Sequence, residues 1–94
     1  MLKGIKSFVR DAKEIIRKEN IKINNFHREI NEYEAIIEVV SLTGGFEIVE
    51  NYREKIEQCY INIEKCVEVI QQNRDKIATM KMISDIIKRG EKCA

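Results

Sequence analysis

A chain of 94 residues with a formal net charge of +1 makes one domain at most and has no overall preference for polyanions or polycations. No apolar run is long enough to span a membrane. Residues 1–18 carry charges among their apolar positions, unlike a secretory signal, and no proline interrupts a helix. Ile occurs 17 times and Leu twice, with Lys, Glu and Asn abundant, which points to a low-GC genome such as that of a bacterium, phage, plasmid, archaeon or virus.

The first segment repeats every seven residues. With seam positions a and d, the a set is Leu2, Val9, Ile16, Ile23, Ile30 and Ile37. The d set is Ile5, Ala12, Glu19, Phe26, Tyr33 and Val40, and Glu19 alone breaks the apolar and aromatic run. A strand alternates with period two, so this spacing predicts one long helix over about 3–42. Leu42-Thr43-Gly44-Gly45-Phe46 is the interior loop signal, with Gly44 as a left-handed cap and a turn at 43–45.

The second segment restarts the repeat, predicting a helix over about 46–89. Its a set is Val49, Ile56, Ile63, Ile70, Ile77 and Ser84; its d set is Tyr52, Cys59, Cys66, Asn73, Met80 and Ile87. Glu47 and Glu50 suit the positive end of the helix dipole, and Lys88 and Arg89 the negative end before a stop at Gly90. Beyond Met80 the pattern blurs, because Met82, Ile83 and Ile86 are also apolar. Cys59 and Cys66 stand about 10.5 Å apart along one helix, too far for a disulfide. Two reduced core thiols and a tail thiol at Cys93 are therefore expected, in a cytoplasmic protein.

Folding at Gly44-Gly45 matches each seam residue with one whose number completes 89. Val40 meets Val49, Ile30 meets Cys59, Ala12 meets Ile77 and Leu2 meets Ile87. Each a then faces a d, as an antiparallel pair requires, and a short loop enforces that pairing. The expected fold is all-α: a single-domain, coiled-coil-like antiparallel hairpin over 1–94.

Two features go beyond a plain coiled coil. Glu19 and Asn73 fall in adjacent seam layers and form a polar waist, which sets register at a cost in stability or acts as a hinge. Phe8, Ile15 and Ile36 flank the first seam; Ile48, Tyr60, Val67, Val69 and Ile83 flank the second. These flanking residues predict an interface, satisfied by two hairpins forming a dimeric four-helix bundle or by a different protein.

Charge is segregated. Residues 1–20 and 71–94 together carry a net +6 from side chains, and residues 21–70 a net −5. Lys3, Lys6, Arg10, Lys13, Arg17, Arg74, Lys76, Lys81, Lys88 and Arg89 make the free end basic, a candidate phosphate-binding surface. No nucleic-acid-binding motif accompanies them. His27 is the single histidine, Cys59 and Cys66 lack CxxC spacing, and Gly44-Gly45 lacks the Lys and Ser/Thr of a phosphate loop. Glu19 is the one seam-facing carboxylate, and a single carboxylate without a cleft is a weak acid–base candidate. No catalytic, cofactor-binding or metal-binding residue is assigned, and no cofactor is expected.

The length, the two long helices and Leu42-Thr43-Gly44 at the midpoint resemble the WXG100 (ESAT-6-like) hairpins of type VII secretion. That resemblance implies a secreted substrate or its partner. Trp is absent from the chain, and Ser84 to Ala94 lacks the family's Tyr-x-x-x-Asp/Glu pattern. The residues themselves favour a small non-enzymatic protein-interaction module: a regulator, adaptor or inhibitor, possibly carried by a phage or other mobile element, working as a homodimer on a protein partner.

Overall fold

In the computed structural model the chain is an all-α hairpin of two helices, α1 (Leu2–Ser41) and α2 (Phe46–Cys93). The structure describes residues 2–93, and of residues 92 and 93 the backbone only. The tail thiol expected at Cys93 therefore lies outside the described side chains.

The turn is a helix stop built on one left-handed residue. Gly44 has φ +78°, the one glycine with a positive φ among the described residues. The Gly45 amide donates to the Val40 carbonyl at 3.4 Å and the Thr43 amide to the same oxygen at 3.0 Å. The Thr43 hydroxyl also donates to it, at 2.9 Å. All three bonds converge on one α1 carbonyl that has no partner further along the helix. The Gly45 carbonyl then accepts from the Val49 amide at 3.1 Å and starts α2. A Cβ on Gly45 would stand 2.5 Å from Val40 Cγ1, so the second glycine is required by packing rather than by its torsion. Gly44→Ala is expected to cost about 1–2 kcal/mol, the penalty of a left-handed L-residue, read as a lower urea midpoint. A midpoint equal to wild type would mean that the turn does not hold this conformation in solution.

The helix ends differ slightly from expectation. α1 stops one residue earlier, at Ser41, and α2 runs through Gly90 to Cys93. Gly90 keeps a negative φ and meets no steric obstacle. Glycine inside a helix costs only about 1 kcal/mol relative to alanine, so it weakens α2 there without ending it.

The residues group into two compact units, Asn20–Val67 around the turn and Met1–Glu19 with Glu68–Ala94 at the chain ends. In the turn unit Ile30, Val49, Cys59 and Cys66 are buried, and Ile23, Phe26, Tyr33, Ile37, Val40, Tyr52, Ile56 and Ile63 are half-buried around them. The Tyr33 and Tyr52 rings pack in a tilted arrangement, 5.6 Å between centroids and 45° between planes, from adjacent seam layers on opposite helices. Lys55 Nζ lies 4.9 Å from the Tyr52 ring centroid and 5.8 Å from that of Tyr33, a cation over two electron-rich faces.

In the end unit Ala12, Ile70 and Asn73 are buried, and Leu2, Ile5, Val9, Ile16, Ile77, Met80 and Ile87 are half-buried. Asn73 satisfies its buried amide within its own helix, donating from Nδ2 to the Val69 carbonyl at 2.8 Å. Glu19 is half-buried. Every described seam position of both helices is thus sheltered, as the seven-residue repeat predicts.

Candidate functional site

The most developed concavity is a groove of about 700 Å³ in the end unit. Its floor is apolar: Ile5 and Val9 from α1, Ile77 and Met80 from α2. Its rim is mainly cationic: Lys6, Arg10, Lys13 and Arg17 on one side and Lys81 and Lys88 on the other, with the carboxylates of Glu14 and Asp85 among them. The heptad explains this. Lys6, Lys13, Lys81 and Lys88 all occupy position e, just after a d residue, and the e positions of an antiparallel pair share one edge.

Ion pairing thins this rim unevenly. Arg17 is held by Glu14, its Nε donating to Oε2 at 3.0 Å. This hydrogen bond lowers the Glu14 carboxyl below its ordinary pKa and raises the Arg17 guanidinium. Arg10 lies 3.8 Å from Asp11. Lys6, Lys13, Lys81 and Lys88 form no ion pair among the described residues. Six cations against the carboxylates of Glu14 and Asp85 leave the groove net positive over hydrocarbon. Of the remaining basic residues named from the sequence, Lys3, Arg74, Lys76 and Arg89 are exposed but do not line it.

The flanking apolar residues do not form one stripe. Phe8, Ile15, Ile36, Ile48, Val69 and Ile83 precede an a position and fall on the g edge, while Tyr60 and Val67 fall on the e edge. Phe8, Ile15, Ile48, Tyr60, Val67 and Ile83 are exposed. Ile36 and Val69 are half-buried, as expected where a g side chain leans over the seam. Exposed apolar residues that the seam does not select are Ile21, Val39, Leu42, Phe46 and Ile61; Met82 and Ile86, which blur the repeat beyond Met80, are exposed too. Their signal was available, since each is apolar without a seam position. Leu42 and Phe46, 85% and 72% exposed, stand at the turn itself.

The chemistry of reactive groups is muted. His27 is exposed. No group of His, Cys, Asp or Glu among the described residues is arranged to hold a metal ion, and no helix is long and apolar enough to cross a membrane. Cys59 is a buried free thiol whose Sγ donates to Glu29 Oε2 at 3.6 Å. Burial, then the hydrogen bond and charge of Glu29, push its pKa above the ordinary thiol value. The thiolate is the reactive form. Cys59 should therefore alkylate more slowly than free cysteine at pH 8, and its rate should still be rising with pH where free cysteine has levelled off. Equal rates in the native protein, measured by mass spectrometry, would mean that Cys59 is not buried against Glu29.

No protein-family model matches the chain, and no curated protein or solved structure matches it.

Proposed function

We propose that this protein is a non-enzymatic, cytoplasmic protein-interaction module whose working form is a homodimer, two hairpins associating as a four-helix bundle. One observation carries the reading: no large apolar side chain among the described residues is fully buried, while many lie exposed along both helices. A hydrophobic face that finds no cover within one chain is covered by association. Sheltered seams with apolar edges are the surfaces from which helix bundles are assembled. In this role the module acts on a second protein as a regulator, adaptor or inhibitor, and a mobile-element origin fits its size and composition.

Sedimentation equilibrium tests this directly. A species of twice the chain mass is expected at micromolar concentration. A monomer persisting to millimolar concentration retires the reading.

A nucleic-acid-binding module is the second reading, favoured by the six cations lining the groove. A phosphate backbone has no use for the floor of Ile5, Val9, Ile77 and Met80, which is why protein is preferred as the occupant. Binding to random-sequence DNA that weakens steeply with salt would support this second reading.

A further inference from the structure

We propose that the groove of the end unit is the seat for the Tyr60–Val67 stripe of a second copy of the chain. This rests on the reading that hairpins self-associate, and it names the two surfaces that meet.

The groove asks for a specific kind of occupant. Its floor of Ile5, Val9, Ile77 and Met80 needs apolar side chains, and its net positive rim, with four lysines outside any ion pair among the described residues, needs carboxylates beside it. An amphipathic helix with acidic residues alternating along its apolar stripe supplies both, in the helix-in-groove mode of recognition. The chain carries such a helix face. On α2, Glu57, Tyr60, Glu64 and Val67 follow one another at spacings of three and four and so share one face. Tyr60 and Val67 are 49% and 51% exposed, and Ile61 beside them is 41% exposed. Glu57 and Glu64 are exposed and form no ion pair among the described residues.

Charge and length both fit. By sequence the end unit carries 12 basic and 7 acidic residues, a net +5, and the turn unit 5 basic and 9 acidic, a net −4. The groove lies wholly in the first and the stripe wholly in the second. Like units of two copies repel each other and unlike units attract. From Lys6 to Arg17 the groove wall runs about 16.5 Å along α1, and Glu57 to Val67 spans about 15 Å, close to the same three turns, at 1.5 Å per residue. One such seat covers only part of the roughly 1,600 Å² that a specific interface buries. A second copy supplies the same contact twice, because each chain has one groove and one stripe, and reciprocal docking closes a twofold dimer.

A charge-exchange experiment tests the contact. One full-length variant carries Glu57→Lys and Glu64→Lys, reversing the stripe; the other carries Lys81→Glu and Lys88→Glu, reversing the groove rim. All four positions are exposed, and circular dichroism checks that helicity is retained. Each variant alone should dimerise at least about tenfold more weakly than wild type by sedimentation, because each sets like charge against like. An equimolar mixture should restore association as a heterodimer, since both of its contacts again join opposite charges. Tyr60→Ser with Val67→Ser should weaken the wild-type dimer comparably, and Phe8→Ser with Ile15→Ser, on the other edge, should leave it intact. Charge variants that dimerise like wild type, or a mixture that fails to recover, overturn this proposal while self-association stands. Both charge variants dimerising normally, with the rim variant losing affinity for random-sequence DNA, would assign the groove to phosphates and overturn it too. A monomeric wild type removes the self-association reading itself.

Discussion

Ile30→Ala should destabilise the hairpin by about 2–5 kcal/mol, the range for truncating a buried isoleucine. Ile30 is 3% exposed, matched in burial only by Ala12 among the apolar core residues, and Ala12 has little to lose. It sits in the layer of the turn unit where Cys59 is also buried, with Glu29 bonded to the Cys59 thiol alongside. A pair of helices has few neighbours able to close over a missing side chain, so the void persists. A domain of this size is stable by only some 5–15 kcal/mol, and the loss is a large share of it. Urea denaturation followed by circular dichroism, at matched protein concentration, measures it; the concentration matters because association adds to apparent stability. Ile21→Ala is the control, its side chain being 46% exposed. Equal losses at the two positions would show that the seam is not the core.

Glu19→Leu combined with Asn73→Leu should act in the opposite direction and raise the melting temperature. Asn73 is 4% exposed, and its side-chain hydrogen bond goes to the Val69 carbonyl of its own helix. That carbonyl lies four residues back, where the helix already supplies the Asn73 backbone amide as donor. Removing the side-chain bond therefore orphans nothing. Burying leucine in its place recovers roughly 1–3 kcal/mol of apolar transfer energy, and leucine also favours the helix more than asparagine does. The cost appears as lost uniqueness: mixed oligomers or slipped registers in sedimentation and cross-linking, as in coiled coils without their polar seam residue. If the waist is a hinge, the double variant stays a single species and loses its partner instead. A lower melting temperature than wild type would show that the polar layer stabilises the hairpin outright, and both accounts would fail.

The seam was legible from the sequence because a seven-residue repeat is a geometric statement. Once Ile30 and Cys59 are assigned to it, their burial follows from the pitch of the helix. The turn was legible for the same kind of reason, since Gly44-Gly45 is the one place where a left-handed residue and a missing Cβ coincide. The groove was not. Lys6, Lys13, Lys81 and Lys88 could be named as basic, but their convergence on one edge depends on which e positions face each other across the pair. Tyr60 and Val67 read as flanking residues, as Phe8 and Ile15 do. The antiparallel register separates them onto opposite edges. Ile61, Leu42 and Phe46 escaped because a search for the seam discards apolar residues that fall off it.

The four-residue turn also orders events in time. Val40 and Val49, on either side of it, are only nine residues apart in sequence, so closing that layer restrains little chain. Each layer outward adds only a short increment to a loop already closed, the cheapest way to bring distant residues together. Contacts so local favour rapid formation starting at the turn. The groove comes late in that progression, because its walls come from Ile5–Arg17 and Ile77–Lys88, stretches with the whole of residues 18–76 between them. It is therefore late to assemble and early to be lost when the ends fray. On the proposed docking, a chain frayed at its ends would keep the acidic stripe of the turn unit but have no seat to offer, so association would report completed folding.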